Sequence, residues 1–126
     1  MKPLARHQDL VYALLRVVAG FLFLQHGLQK CFGLLGGKVA TAPLMIAAGW
    51  IELLAGALIA LGLFTPYAAF LASGMMAVAY FKAHAPSGFW PVVNRGELAA
   101  LYSFLFLYLA ARGSGILSID RLRGKK

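Results

Sequence analysis

The run LVYALLRVVAGFLFLQHGLQKCF, Leu10–Phe32, decides the fold. A helix rises about 1.5 Å per residue, so this run is long enough to cross a hydrocarbon core about 30 Å thick. Lys2 and Arg6 precede it as in a signal peptide. The run is long for an h-region, however, carries Arg16, and lacks a small-x-small cleavage site, so it reads as an uncleaved first span.

Three further apolar segments follow at about 43–63, 66–84 and 95–112. Together the four leave too little polar chain to cover a soluble core. The composition agrees: 61% of the 126 residues are hydrophobic and 13% charged, against about 45–50% and about 25% in a soluble domain. Mean hydropathy is +0.77. The reading is an all-α, integral membrane four-helix bundle, a single domain over 1–126 with no linker or repeat.

Local signals mark the ends. Asp9 is placed to cap the first helix, and Thr65-Pro66 reads as cap and first-turn proline of the third. Asn94-Arg95-Gly96-Glu97 resembles a capping box for the fourth, which Gly113 can end. The connection at Phe64-Thr65 is short enough for a tight hairpin, whereas those at 33–42 and 85–94 are longer.

Net charge is +8, from 12 basic and 4 acidic residues. The basic residues sit at segment ends and in the tail, where they orient a membrane chain and meet anionic lipid, so no nucleic-acid partner is expected. Lys2, Arg6, Arg112, Arg121, Arg123, Lys125 and Lys126 share the end that carries the termini, opposite Lys30, Lys38, Lys82 and Arg95. Positive-inside bias puts both termini in the cytoplasm. Tyr12, Tyr67 and Tyr108 then fall near one interface, and Tyr80, Trp90 and Tyr102 near the other, as aromatic belts.

Small residues predict close helix approach: Ala48, Gly56 and Ala60 beside Glu52 on the second segment, and Ala69, Ser73, Ala79 and Ala83 with Met75 and Met76 on the third. Cys31 is the sole cysteine, which excludes an internal disulfide and a CxxC redox pair.

Polar groups at membrane depth need a partner or a purpose. Glu52 is the sharpest case: a carboxyl there must be protonated, paired, or facing a wet cavity. His26, Gln29 and Lys30 share a helix face by their i, i+3, i+4 spacing. His84 closes the third segment and Arg95 and Glu97 open the fourth at the same end. The expected polar site is therefore His26, Gln29, Lys30, Glu52, His84, Arg95 and Glu97. Each has a plainer reading, in which Lys30 snorkels, Glu97 caps, Arg95 anchors, and Glu52 bonds a neighbouring helix. No HxxxH or HExxH spacing points to a metal. Histidine beside carboxyl groups suits proton transfer, including proton transfer next to a quinone. Arg16 is expected to snorkel or to find a carboxyl partner. The proline-bracketed aromatic loop 85–91 reads as an interfacial anchor or a lid.

These residues carry a resemblance. Leu14-Leu15-Arg16, then Phe23-Leu24-Gln25-His26-Gly27-Leu28-Gln29-Lys30 and Phe32-Gly33, resemble the first helix of the DoxX family. Glu52-Leu53-Leu54-Ala55-Gly56 and Leu61-Gly62-Leu63-Phe64-Thr65-Pro66 resemble its hairpin. Pro86-Ser87-Gly88-Phe89 and Gly96-Glu97-Leu98-Ala99-Ala100-Leu101-Tyr102 resemble its later part. The resemblance implies a small four-helix protein of a bacterial or archaeal cytoplasmic (inner) membrane. Some relatives are similar to a subunit of thiosulfate:quinone oxidoreductase, and others are linked to a membrane oxidoreductase complex handling thiol and oxidative stress. The expected function is accordingly a membrane subunit of an oxidoreductase complex with a quinone-adjacent role. Its partners would be the lipid bilayer, soluble or membrane redox subunits, and further copies of itself. Two alternatives stay open: a non-catalytic scaffold or assembly factor, and a small-molecule or lipid carrier.

Overall fold

In the computed structural model, which describes residues 2–124, the long first run forms α2 (Gln8–Phe32), preceded by the single turn α1 (Lys2–Ala5). Lys125 and Lys126, counted above with the basic tail, lie outside the described residues. α2 packs most intimately on α3 (Pro43–Leu61). The reason is the glycines that face each other across the pair. A Cβ on Gly20 would stand 2.5 Å from the Ala60 nitrogen, and one on Gly56 would stand 2.7 Å from the Leu24 nitrogen. Backbone therefore lies on backbone, as small residues allow between membrane helices.

The second close pair is α4 (Thr65–Ala79) with α6 (Glu97–Arg112). Here two serines clamp the helices reciprocally. Ser73 Oγ donates to the Ser103 carbonyl at 2.6 Å, and Ser103 Oγ donates to the Ser73 carbonyl at 3.0 Å. The alanines 68, 69, 72 and 99 are buried around them. Between the two pairs stand large side chains. Phe23 of α2 meets the Phe106 ring of α6 at 4.8 Å between centroids, and Ile59 and Leu109 are fully buried beside them. The middle of the molecule is filled.

α2 and α3 are long and apolar enough to cross a membrane. α4 continues as a π-helical turn, Tyr80–His84, before a short 3₁₀ turn at Ala85–Ser87 and the single turn α5 (Pro91–Asn94). All regular structure among the described residues is helical. Large apolar side chains remain exposed on every long helix, among them Val18, Leu54, Phe70 and Phe104, which is how a surface solvated by lipid is built.

Several end signals resolve differently from expectation. Asp9 caps nothing: α2 begins at Gln8 with no side-chain cap, and Asp9 instead pairs with Arg112 at 3.1 Å. Thr65 is the first residue of α4 and Phe64 occupies the cap position in the left-handed region, at φ 53°. α6 starts at Glu97, so Arg95 lies outside it, with φ 63°. The capping box is replaced by the Asn94 side chain, whose Oδ1 accepts from the Gly96 N–H at 2.8 Å. Gly113 does end α6. Of the aromatic belt residues, Tyr12 and Tyr102 are buried in the core instead.

The largest departure is at the end carrying the termini. Arg16 neither snorkels nor bonds a carboxyl group. It is fully buried, and its guanidinium donates to the carbonyls of Ile59 (3.0 Å), Ser114, Ile116 (3.0 Å) and Leu117 (2.6 Å). Three of these acceptors belong to the segment after Gly113, which folds back beneath the helices. Tyr12 Oη fastens the turn by donating to the Gly113 carbonyl at 2.6 Å. Asp120, in the last turn α7 (Ile119–Leu122), accepts from Ser114 Oγ at 2.6 Å and from the Phe64 N–H at 2.9 Å. The chain past residue 113 is thus a strap that closes this end.

Candidate functional site

The opposite end is open. The last turns of α2, the first half of α3, the end of α4 with its π turn, and the start of α6 surround a cavity of about 500 Å³. Its polar lining is His26, Lys30, Glu52, Lys82, His84 and Arg95, and its apolar lining includes Phe23, Met75, Met76 and Tyr102.

Lys30 and Glu52 form the centre. Lys30 Nζ lies 2.6 Å from Glu52 Oε1, and Glu52 is only 3% exposed. The contact depends on Gly49, one helical turn before Glu52: a Cβ there would fall 2.7 Å from Lys30 Cβ, so the bare backbone of α3 is what lets the lysine stem lie across it. A buried carboxylate without such a partner would be strongly disfavoured. His26, four residues before Lys30, shares its face and lines the same space.

Asn94 arranges the other wall. Its Nδ2 donates to Tyr80 Oη at 3.1 Å and to the Gly88 carbonyl at 2.9 Å, and its carbonyl faces His84 Nδ1 at 3.1 Å. A carbonyl only accepts, so His84 carries its hydrogen on Nδ1 and, when neutral, keeps a lone pair on Nε2. Gly96 is needed here as well, because a Cβ would meet the Tyr80 ring at 2.7 Å and His84 Cβ at 2.8 Å. The π turn that carries Lys82 and His84 is a geometry recurrent at functional sites.

Of the seven residues expected at the site, His26, Lys30, Glu52, His84 and Arg95 line the cavity. Gln29 does not: its Nε2 donates to the Leu35 carbonyl at 3.2 Å, where it braces the following turn. Glu97 is exposed in the first turn of α6 and lies outside the lining. Lys82 and Tyr102 line the cavity although the sequence marks them only as an end charge and a belt tyrosine. No spacing announces them. The loop 85–91 does not cover the bundle: Phe89 is 82% exposed and Trp90 65%. Among the described residues no group of three or more His, Cys, Asp or Glu side chains is gathered to hold a metal ion.

An all-helical chain with a lipid-compatible surface and a polar cavity at one end defines a small membrane protein. The chain belongs to the DoxX family, whose model matches residues 11–85. It is similar to an uncharacterised protein of Haemophilus influenzae, 41% identical over 134 aligned positions that cover the whole of both chains. No solved structure matches it.

Proposed function

We propose that the protein is a membrane subunit of an oxidoreductase complex and that its open-ended cavity receives the head group of a quinone. In this reading the whole chain acts as one four-helix domain in a bacterial inner membrane, with both termini cytoplasmic and the cavity toward the outer face. The carrying observation is the buried Lys30–Glu52 pair at 2.6 Å on the wall of a cavity otherwise lined by Phe23, Met75, Met76 and Tyr102.

The donor set fits the group. Quinone carbonyls accept hydrogen bonds, and Arg95 and Tyr102 offer donors around an apolar floor. A bound quinone would supply two-electron, two-proton redox chemistry. The chain's own contribution is to hold the ring, exclude water on the Met75–Phe23 side, and set the His26 and His84 imidazoles on the cavity wall, where they can relay protons. The single cysteine leaves thiol chemistry to a partner subunit. A through-going pore within one copy has little support, since Phe23, Phe106, Ile59 and Leu109 fill the middle and the Arg16 strap closes the far end.

The test is purification in mild detergent with mass spectrometry of what stays bound. Stoichiometric quinone, lost on Glu52→Gln or His26→Ala while the helical signal is kept, supports the reading. Protein that carries a polypeptide partner and no quinone favours a scaffold. Protein that comes out alone and empty removes the redox reading.

A further inference from the structure

The cavity has a charge surplus that a quinone leaves unused. Three full cations line it, Lys30, Lys82 and Arg95, against one carboxylate, Glu52. Glu52 is committed to Lys30. The other ion pairs among the described residues, Arg112–Asp9 and Arg123–Asp120, lie at the far end. Lys82 and Arg95 therefore face the cavity with no acidic partner among the described residues.

The surplus is also placed along one axis. Lys82 lies in the π-helical turn that ends α4 and Arg95 in the connection 85–96 that follows it, so both stand at the polar end. Toward mid-helix the lining becomes Phe23, Met75 and Met76. Leu44, Met45 and Val78 form the lateral rim between α3 and α4, and each is about half exposed on the outer surface of the helices. A molecule filling this space would meet cations at one end, a dry wall along its length, and an apolar side opening to the surrounding hydrocarbon. A volume of about 500 Å³ lies within the range of small-molecule sites, about 300–1,000 Å³.

From this arrangement we infer that the cavity binds an anionic amphiphile, an oxyanion head group on a hydrocarbon tail, with the head between Lys82 and Arg95 and the tail leaving between α3 and α4. The inference uses the same cavity as the reading above but does not depend on quinone binding there. The head group is a free carboxylate or the phosphate of an anionic phospholipid.

The experiment uses delipidated full-length protein in a nonionic detergent, with equilibrium binding of oleate, oleyl alcohol, phosphatidylglycerol and phosphatidylcholine. Charge-assisted bonds to the head should favour oleate over oleyl alcohol by about ten-fold or more. Lys82→Ala and Arg95→Ala should each erase most of that preference. Lys38→Ala, which removes a cation outside the lining, should leave it intact. Selective binding of phosphatidylglycerol over phosphatidylcholine, with oleate weak, identifies the phospholipid as the source. Equal binding of acid and alcohol, together with equal binding of the two phospholipids, overturns the inference, and so does a preference that survives both variants. Assaying the same preparation for bound quinone before delipidation keeps the two readings apart. Quinone without anion preference sinks this inference alone, and anion preference without quinone sinks the redox reading alone.

Discussion

Arg16 Nη2 donates to the Leu117 carbonyl at 2.6 Å, joining the third turn of α2 to a segment 101 residues further along the chain. Three more carbonyls complete the cage, so the cation is solvated by backbone instead of by water or a carboxylate.

Removing the guanidinium would leave a set of buried acceptors unpaired. Arg16→Ala should therefore destabilise the protein by about 3–5 kcal/mol, the range for breaking a buried charged contact. Arg16→Lys should recover only part of this, since an ammonium cannot span four acceptors. Ending the chain at Gly113 should produce a comparable lesion from the other side. Denaturant unfolding in mixed micelles measures all three. An Arg16→Ala protein with the wild-type midpoint would show that the strap contributes nothing.

The glycines of α2 and α4 make a matched contrast. A Cβ at Gly27 would collide with the Leu53 backbone, whereas one at Gly74 would meet nothing within 4 Å. Gly27→Ala should cost about 1–3 kcal/mol by forcing α2 and α3 apart. Gly74→Ala should be neutral or stabilising by about 0.5–1 kcal/mol, because alanine is the better helix former. Equal melting temperatures for the two variants would refute the close-approach account of the α2–α3 pair.

The helices were legible because each is an apolar run bounded by turn chemistry, and the structure moves their ends by only a few residues. The run read as 10–32 becomes 8–32, and that read as 43–63 becomes 43–61. His26 and Lys30 could be placed together because helical spacing alone puts them on one face. Arg16 could not be partnered, since its acceptors are main-chain carbonyls and every residue has one. Lys82 and Tyr102 were visible as residue types at the right depth, but depth does not say which face a side chain takes. Asn94 looked like one member of a capping box, and its three side-chain bonds depend on a loop path that no periodicity encodes.

Lys30 and Glu52 should be strongly coupled. Lys30→Ala strands a carboxylate that is 3% exposed, with an expected cost of about 3–5 kcal/mol. Lys30→Met with Glu52→Leu removes both charges and should be milder than the Lys30→Ala change alone. A double-mutant cycle over Lys30→Met and Glu52→Leu reads the interaction directly. Additive effects, with a coupling energy below about 0.5 kcal/mol, would mean the pair is incidental.

Asn94 tests whether the cavity wall is built by one side chain. It is buried, and it holds Tyr80, Gly88 and Gly96 together through bonds of 3.1, 2.9 and 2.8 Å. Asn94→Ala loses all three and leaves the Gly88 carbonyl and the Tyr80 hydroxyl without that donor. A cost of about 2–4 kcal/mol is expected, at about 1 kcal/mol per bond plus the penalty for groups left unpaired. Asn94→Asp keeps the acceptor for Gly96 but not the two donated bonds, so it should fall between. Because the bonds lie within 80–96, amide exchange should quicken across that segment while α2 and α3 keep their protection. Uniform exchange changes along the whole chain would instead make Asn94 one more contributor to global stability, with no special hold on the cavity.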